Sequence, residues 1–127
     1  MVRNNMTNEE IYTTALDLSK NIVNANLHLP VKVNFYLQKN VSAIVSMAEE
    51  IEKARNEIFQ KYGTADDEGN YQFANDVIDE VNHELGDLFS LEQEVPIYEI
   101  ALDDFGNTEL DANQVRAILY MIKDEEE

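Results

Sequence analysis

Apolar residues recur along residues 29–62 at steps of three and four: Val33, Leu37, Val41, Ile44, Met47, Ile51, Ala54 and Ile58. That repeat keeps one face of an α-helix apolar and predicts one long helix. Pro30 suits its first turn, where the missing N–H costs nothing, and Gly63 stands where a left-handed residue would close it. About 32 residues at 1.5 Å rise make a rod of about 48 Å, so other elements must lie along it.

Those elements are visible on either side. Residues 1–6 read as a frayed, mobile start. Thr7-Asn8-Glu9-Glu10 then has the form of a capping box, with Met6 and Ile11 placed as a hydrophobic staple. Ile11, Ala15, Leu18 and Ile22 continue as the apolar stripe of a short helix that ends near Asn24 or Asn26. Leu29 to Val33 alternates well enough to offer a short strand in place of the first helical turn. Beyond the long helix, the glycines and acids of 63–70 mark a chain reversal. Its acids invite a calcium loop, but the ligand spacing of an EF-hand does not align with them. From Tyr71 to about Leu91 the positions Phe73, Val77, Val81, Leu85 and Leu88, widened by Ile78 and Phe89, predict a second long helix with Gly86 as its weak point. Val95 to Leu102 is β-branched and aromatic, and Pro96 restricts it to a sheet edge. Its partner is expected in residues 29–33 or in the same strand of a second copy, which would make a homo-oligomer. Asp111 to Gln114 repeats the capping-box pattern ahead of a last helix with Val115, Ile118, Leu119 and Ile122 on its apolar face, followed by a mobile acidic tail from Asp124 to Glu127.

The fold expected from this pattern is mainly α: a long antiparallel α-hairpin with two shorter helices and one short edge strand. With 127 residues, 44% of them hydrophobic, the chain suits a single domain over 1–127. It has no cysteine, hence no disulfide framework and no thiolate nucleophile or metal ligand, which agrees with a cytoplasmic protein. Neither a membrane span nor a secretory leader is expected, because no run of eighteen apolar residues occurs.

Charge changes the picture more than composition does. Residues 1–63 carry seven acids and seven basic side chains, whereas residues 64–127 carry nineteen acids against Arg116 and Lys123, so the second half holds the whole net charge of −17. Such a field repels nucleic acid and anionic membrane and favours encounter with a basic surface. Asp76, Asp79, Glu80, Glu84 and Asp87 are expected to form a ridge on one helix, a candidate surface for a basic protein partner. The plainer alternative for the same residues is a solvated helix face that keeps the protein in solution. His28, alone in a connection, is assigned no role.

Catalytic chemistry is sparse. No phosphate-binding G-x-x-x-x-G-K-[ST] or G-x-G-x-x-G occurs, and two histidines without cysteine give no nucleophilic constellation. The sharpest feature is Glu84-Leu85-Gly86-Asp87 on the second helix with Glu49-Glu50-Ile51-Glu52 on the first. Carboxylates three apart lie on adjacent turns, and two such pairs facing across a hairpin would hold Mg²⁺. This resembles the all-α nucleoside triphosphate pyrophosphohydrolases of the MazG type, and the resemblance implies Glu49, Glu52, Glu84 and Asp87 as metal ligands. Lys53 stands where that family's first helix has its last glutamate, and the strand of 95–102 has no place in that fold. The main expectation is therefore a chain with no enzymatic activity, no cofactor and no metal.

A wider resemblance covers most of the chain. An amphipathic first helix, L-P-V-K-V-N-F opening a long glutamate-bearing helix, K-Y-G before D-E-G-N-Y-Q-F, then E-L-G-D-L-F, E-V-P-I-Y-E-I and L-Y-M-I with an acidic tail, is similar to an uncharacterised family of small siphophage and prophage proteins. The resemblance implies phage origin and expression inside the host. It favours two kinds of binding function: an accessory protein that engages and inhibits a host factor, such as a defence nuclease, by imitating the charge of nucleic acid, or a virion or tail-assembly component.

Overall fold

Residues 2–123 are described by the computed structural model, and they are mainly α-helical. In chain order they form β1 (Val2–Thr7), α1 (Asn8–Leu18), which runs on into a π-helical turn (Ser19–Val23), and α2 (Val31–Tyr62). A small hairpin of β2 (Thr64–Ala65) and β3 (Tyr71–Gln72) follows, and a 3₁₀ turn (Asn75–Val77) leads into α3 (Ile78–Ser90). β4 (Glu92–Ile97), a 3₁₀ turn (Leu102–Phe105), α4 (Ala112–Ile118) and a closing 3₁₀ turn (Leu119–Met121) complete the chain. No helix among the described residues is long and apolar enough to cross a membrane.

The helix starts form where the sequence places them. Thr7 Oγ1 accepts from the Glu10 N–H at 3.1 Å and Glu10 Oε1 accepts from the Thr7 N–H at 2.8 Å, which pairs two amides that the helix itself leaves orphaned. Asp111 and Gln114 repeat this at 2.8 and 3.0 Å for α4. Ile11, Ala15, Leu18 and Ile22 are all buried, and they meet Val33, Leu37, Ile44, Ala48 and Ile51 of α2 in one core. Val95 and Ile97 of β4, Ile100, Phe105, Ile118 and Met121 complete that core.

Two polar side chains sit inside it, Asn8 and Asn40. Asn8 joins three elements: its Nδ2 donates to the Leu88 carbonyl at 2.8 Å, its Oδ1 accepts from Gln93 Nε2 at 2.7 Å, and its backbone N–H donates to the Leu91 carbonyl at 2.8 Å. A buried polar group with every partner in place fixes one arrangement of the elements around it.

Several expectations are corrected. Residues 2–7 are not a frayed end but β1, paired antiparallel with β4 in register from Val2 opposite Ile97 to Thr7 opposite Glu92. Arg3, Asn4 and Asn5 keep their side chains in solvent, so the apolar alternation that betrays a strand is missing although the backbone ladder forms. Neither residues 29–33 nor a second copy supplies this partner: Val31–Val33 opens α2, with Pro30 as its N-cap. In a two-stranded sheet each strand is an edge, which accommodates Pro96 opposite Arg3.

The second long helix is also shorter than its pattern. Asp66 Oδ1 accepts from the N–H groups of Glu68 and Asn70, each at 2.9 Å, and Gly69 takes φ +84° to turn the chain. Tyr71 and Phe73, two residues apart as a strand requires, then lay their rings on Phe59 with centroids 5.8 and 5.6 Å away. Helix resumes only at Ile78, so the expected pair of long helices is a 32-residue rod with a 13-residue partner. Gly63 is extended, at φ −118° and ψ 172°, rather than left-handed. Its missing side chain serves a close approach: a Cβ there would stand 2.6 Å from the Phe73 ring.

The last helix turns a different face inward. Ala117, Ile118 and Met121 are buried, while Val115 and Leu119 are exposed. The α-helix stops at Ile118 and tightens, which swings Met121 into the core and lets Ile122 bridge to Ile100. The expected mobile tail, Asp124 to Glu127, lies outside the described residues, as does Met1.

Candidate functional site

Helix α3 is amphipathic because its charged and apolar residues follow the same period in opposite phase. At 100° per residue, Asp79, Glu80, His83, Glu84 and Asp87 fall within an arc of about 140°, with Val81, Leu85 and Leu88 on the other side. Val81 is buried, Leu85 and Leu88 are half-buried, and Asp79, Glu80 and Asp87 face solvent. Asp76, in the 3₁₀ turn ahead of α3, is exposed as well. The five acids singled out from sequence thus do not form a ridge on one helix: Asp79, Glu80, Glu84 and Asp87 lie on α3, and Asp76 lies on the turn before it. Asp79 and Glu80 stand in the first turn of α3, where the helix dipole favours negative charge.

The five are not equivalent. Glu84 lies at the border of the arc, half-buried, where its carboxylate accepts a short hydrogen bond from the Tyr62 hydroxyl and another from Lys61 Nζ at 3.2 Å. The bond from Tyr62 and then the contact with Lys61 hold the Glu84 carboxyl below the ordinary carboxylate value. The same bond to Glu84 raises the Tyr62 hydroxyl and the Lys61 ammonium above theirs. Glu84 therefore ties α3 to the end of α2, leaving Asp76, Asp79, Glu80 and Asp87 as the outward charges. Asp87 pairs with His83 one turn earlier, Oδ2 to Nε2 at 3.4 Å, both side chains mostly in solvent. The contact of Lys61 and Tyr62 with Glu84 is not legible in the sequence, since a contact between the end of one helix and the middle of another leaves no periodic trace.

The metal reading is not assembled. Glu84 meets α2 at Lys61 and Tyr62, and Glu49 lies twelve residues back along the rod, about 18 Å at 1.5 Å per residue. Glu49 and Glu52 border a shallow depression that also contains Lys53, Asn56, Glu57 and Gln60, and Glu52 leans toward Arg55 at 3.8 Å. Among the described residues, no three histidine, aspartate or glutamate side chains come together in a metal-ligating group. Glu49 and Glu52 on α2 thus stand apart from Glu84 and Asp87 on α3, and the four do not form one cluster.

A second feature went unread in the sequence. Arg55 crosses from α2 toward α1, its Nη1 donating to the Tyr12 hydroxyl at 3.3 Å while the guanidinium lies 5.8 Å from the Tyr12 ring centre and 5.6 Å from that of Phe59. Tyr12 in turn sets its ring edge-on to Phe89 at 6.0 Å. This aromatic and cationic stack joins α1, α2 and the C-terminal end of α3, and such contacts are worth about 0.5–2 kcal/mol each.

Compared with models of protein families, with curated proteins and with solved structures, the chain matches none of them.

Proposed function

We propose that this domain works by protein–protein contact, presenting the acidic side of α3 to a basic surface of a host factor and inhibiting it. In this reading the chain is a phage or prophage accessory protein acting in the host cytoplasm, and its carboxylates imitate the charge of nucleic acid. The observation that supports it is the placement of Asp79, Glu80 and Asp87 on the solvent side of α3, with Asp76 exposed in the turn before it, while the other side of α3 is anchored to α1 and α2. Read as an antiparallel hairpin, α2 and α3 form the stiff mount on which those charges are spaced. A fixed row of like charges steers a cationic partner and is weakened by salt.

The experiment is a pull-down from host lysate at low and high salt, with the wild type and with a variant carrying Asp76→Asn, Asp79→Asn, Glu80→Gln and Asp87→Asn. Glu84 is left in place because it anchors α3. An electrostatic partner leaves as salt rises and is not captured by the neutralised variant. A partner retained in both cases sinks the mimic.

The second reading is a virion or tail-assembly component. What favours it is β1: its edge away from β4 carries no strand among the described residues, and an open edge accepts strand addition from a neighbouring subunit. It predicts recovery of the protein with phage particles.

A further inference from the structure

Gly86 leaves a gap between two helices. Glu9 stands three and four residues before Tyr12 and Thr13 on α1, and Leu85 and Gly86 stand four and three before Phe89 on α3, so each set shares one side of its helix. These six residues line a notch of about 410 Å³. A Cβ built on Gly86 meets no atom within 4 Å, so the notch is open where an ordinary helix residue would fill it. The walls differ in chemistry. Tyr12, Leu85 and Phe89 are half-buried, with the Tyr12 and Phe89 rings edge to face at 6.0 Å, while Glu9 and Thr13 are exposed. Glu10 is committed to the cap of α1, but Glu9 makes no ion pair among the described residues.

We propose that this notch receives an arginine side chain of the basic partner, with its guanidinium plane over the Tyr12 and Phe89 rings and its N–H groups on the Glu9 carboxylate. The inference rests on the function proposed above and names the contact that makes the acidic side selective. Position connects the two. At 100° per residue Gly86 lies about 20° outside Asp79, at one border of the acidic arc, and Glu84, tied to α2, lies at the other. A partner drawn to Asp79, Glu80 and Asp87 therefore meets the notch at the edge of the same surface. The charges around it also agree. Glu9 lines the notch and Asp87 adjoins Gly86, while the nearby basic groups already have acids beside them: His83 lies 3.4 Å from Asp87, and Arg55 lies 3.8 Å from Glu52.

Arginine is the occupant that uses every wall. Its planar guanidinium is weakly hydrated, lies flat on aromatic rings and offers a fork of donors to a carboxylate, whereas a lysine ammonium is compact and strongly hydrated. An aliphatic side chain would fill the apolar floor but offer nothing to Glu9. The protein already contains one such packing, in Arg55, whose guanidinium lies 5.8 Å from the Tyr12 ring centre and 5.6 Å from that of Phe59. A second copy of this chain is a poor source of the side chain. It carries the same net charge of −17, and its three arginines are engaged within the fold: Arg3 with Glu94, Arg55 with Tyr12, and Arg116 with Asp17.

Two fluorescein-labelled peptides of equal length and charge, one alternating arginine with glycine and the other lysine with glycine, test it by anisotropy against the full chain. The arginine peptide is expected to bind at least about fivefold more tightly. Gly86→Leu fills the notch from a position with open space around its Cβ. It is expected to bring the two peptides within about twofold of each other without weakening the lysine peptide or lowering the melting temperature. Glu9→Gln, which keeps the shape of the notch, should narrow the difference in the same direction. An arginine preference that survives both variants overturns the proposal and leaves the acidic side standing. So does an equal loss of both peptides in Gly86→Leu, since the notch then does not tell arginine from lysine. The variant carrying Asp76→Asn, Asp79→Asn, Glu80→Gln and Asp87→Asn tests the other idea: it should weaken both peptides about tenfold, and unchanged binding of both overturns the acidic side itself and the inference that rests on it.

Discussion

Asn40 brackets the backbone of Tyr98: its Oδ1 accepts from the Tyr98 N–H at 2.7 Å and its Nδ2 donates to the Tyr98 carbonyl at 2.9 Å. The side chain is 2% exposed, and the same Nδ2 lies 3.3 Å from Met121 Sδ. One amide on α2 thus fixes the end of β4 and the close of the last helix together. Asn40→Leu fills similar space but leaves both backbone groups of Tyr98 without partners. A loss of about 2–4 kcal/mol is expected in urea unfolding, because each unsatisfied buried group costs about 1–3 kcal/mol. A loss below about 1 kcal/mol would show that water replaces the amide.

Two glycines respond to alanine with opposite signs. At Gly63 the added methyl meets the Phe73 ring at 2.6 Å and the Phe59 carbonyl at 3.0 Å, so Gly63→Ala must push the small hairpin from the rod and is expected to destabilise by about 1–3 kcal/mol. At Gly86, inside α3, a Cβ meets nothing within 4 Å, and Gly86→Ala is expected to stabilise by roughly 0.5–1 kcal/mol. Paired thermal melts check both: a Gly63→Ala variant as stable as the wild type contradicts the packing around Phe73, and a destabilised Gly86→Ala variant contradicts the open space at Gly86.

The contact of Glu84 with Tyr62 and Lys61 gives stability a definite pH dependence. Because the folded Glu84 carboxyl titrates below its ordinary value of 4.5, its stabilisation is complete above that pH and fades as pH falls through the lowered value. Tyr62 and Lys61 titrate above their ordinary 10.0 and 10.5, so their share is complete below those values and fades as pH rises through the raised ones. Tyr62→Phe should lower the melting temperature at neutral pH and shrink its fall toward acid. If melting curves of variant and wild type stay parallel down through the carboxylate range, Glu84 is not held by Tyr62.

Magnesium is expected to have no specific effect. With the pair Glu49 and Glu52 apart from the pair Glu84 and Asp87, millimolar Mg²⁺ should shift the melting temperature no more than sodium salt of equal ionic strength. Asp87→Ala, which removes an exposed contact with His83, should change stability by less than about 0.5 kcal/mol. A divalent-specific shift lost in that variant, with pyrophosphate released from a nucleoside triphosphate, would restore the enzyme reading.

The helix starts at Thr7 and Asp111 and the rod from Val31 to Tyr62 were legible because caps and a 3.6-residue period are local signals. Residues 2–5 gave no such signal: their side chains face water on both sides, and their pairing with residues 94–97 is a long-range backbone event. Residues 71–77 carried an apolar spacing compatible with a helix, but two aromatic residues at a spacing of two found Phe59 instead. Tertiary contact decided that stretch against its period. The acids of the candidate face were visible in sequence, whereas the role of Glu84 as an anchor required the end of α2 to be placed beside it. Asn40 was passed over because a polar residue on an apolar stripe reads as a flaw until its partner strand is known.

The pairing of β1 with β4 also sets an order of events during synthesis. Residues 2–7 are synthesised well ahead of the strand that receives them, which is completed only at Ile97. At about 5–20 residues per second the chain between them takes roughly 4–17 s to make. During that interval α1 and α2 have each other to pack against, while the leading strand waits as a nascent ribbon. Arg3, Asn4 and Asn5, so uninformative as a pattern, are what a waiting edge needs, since a polar and charged ribbon resists joining the same ribbon on a neighbouring polysome product until its own partner arrives.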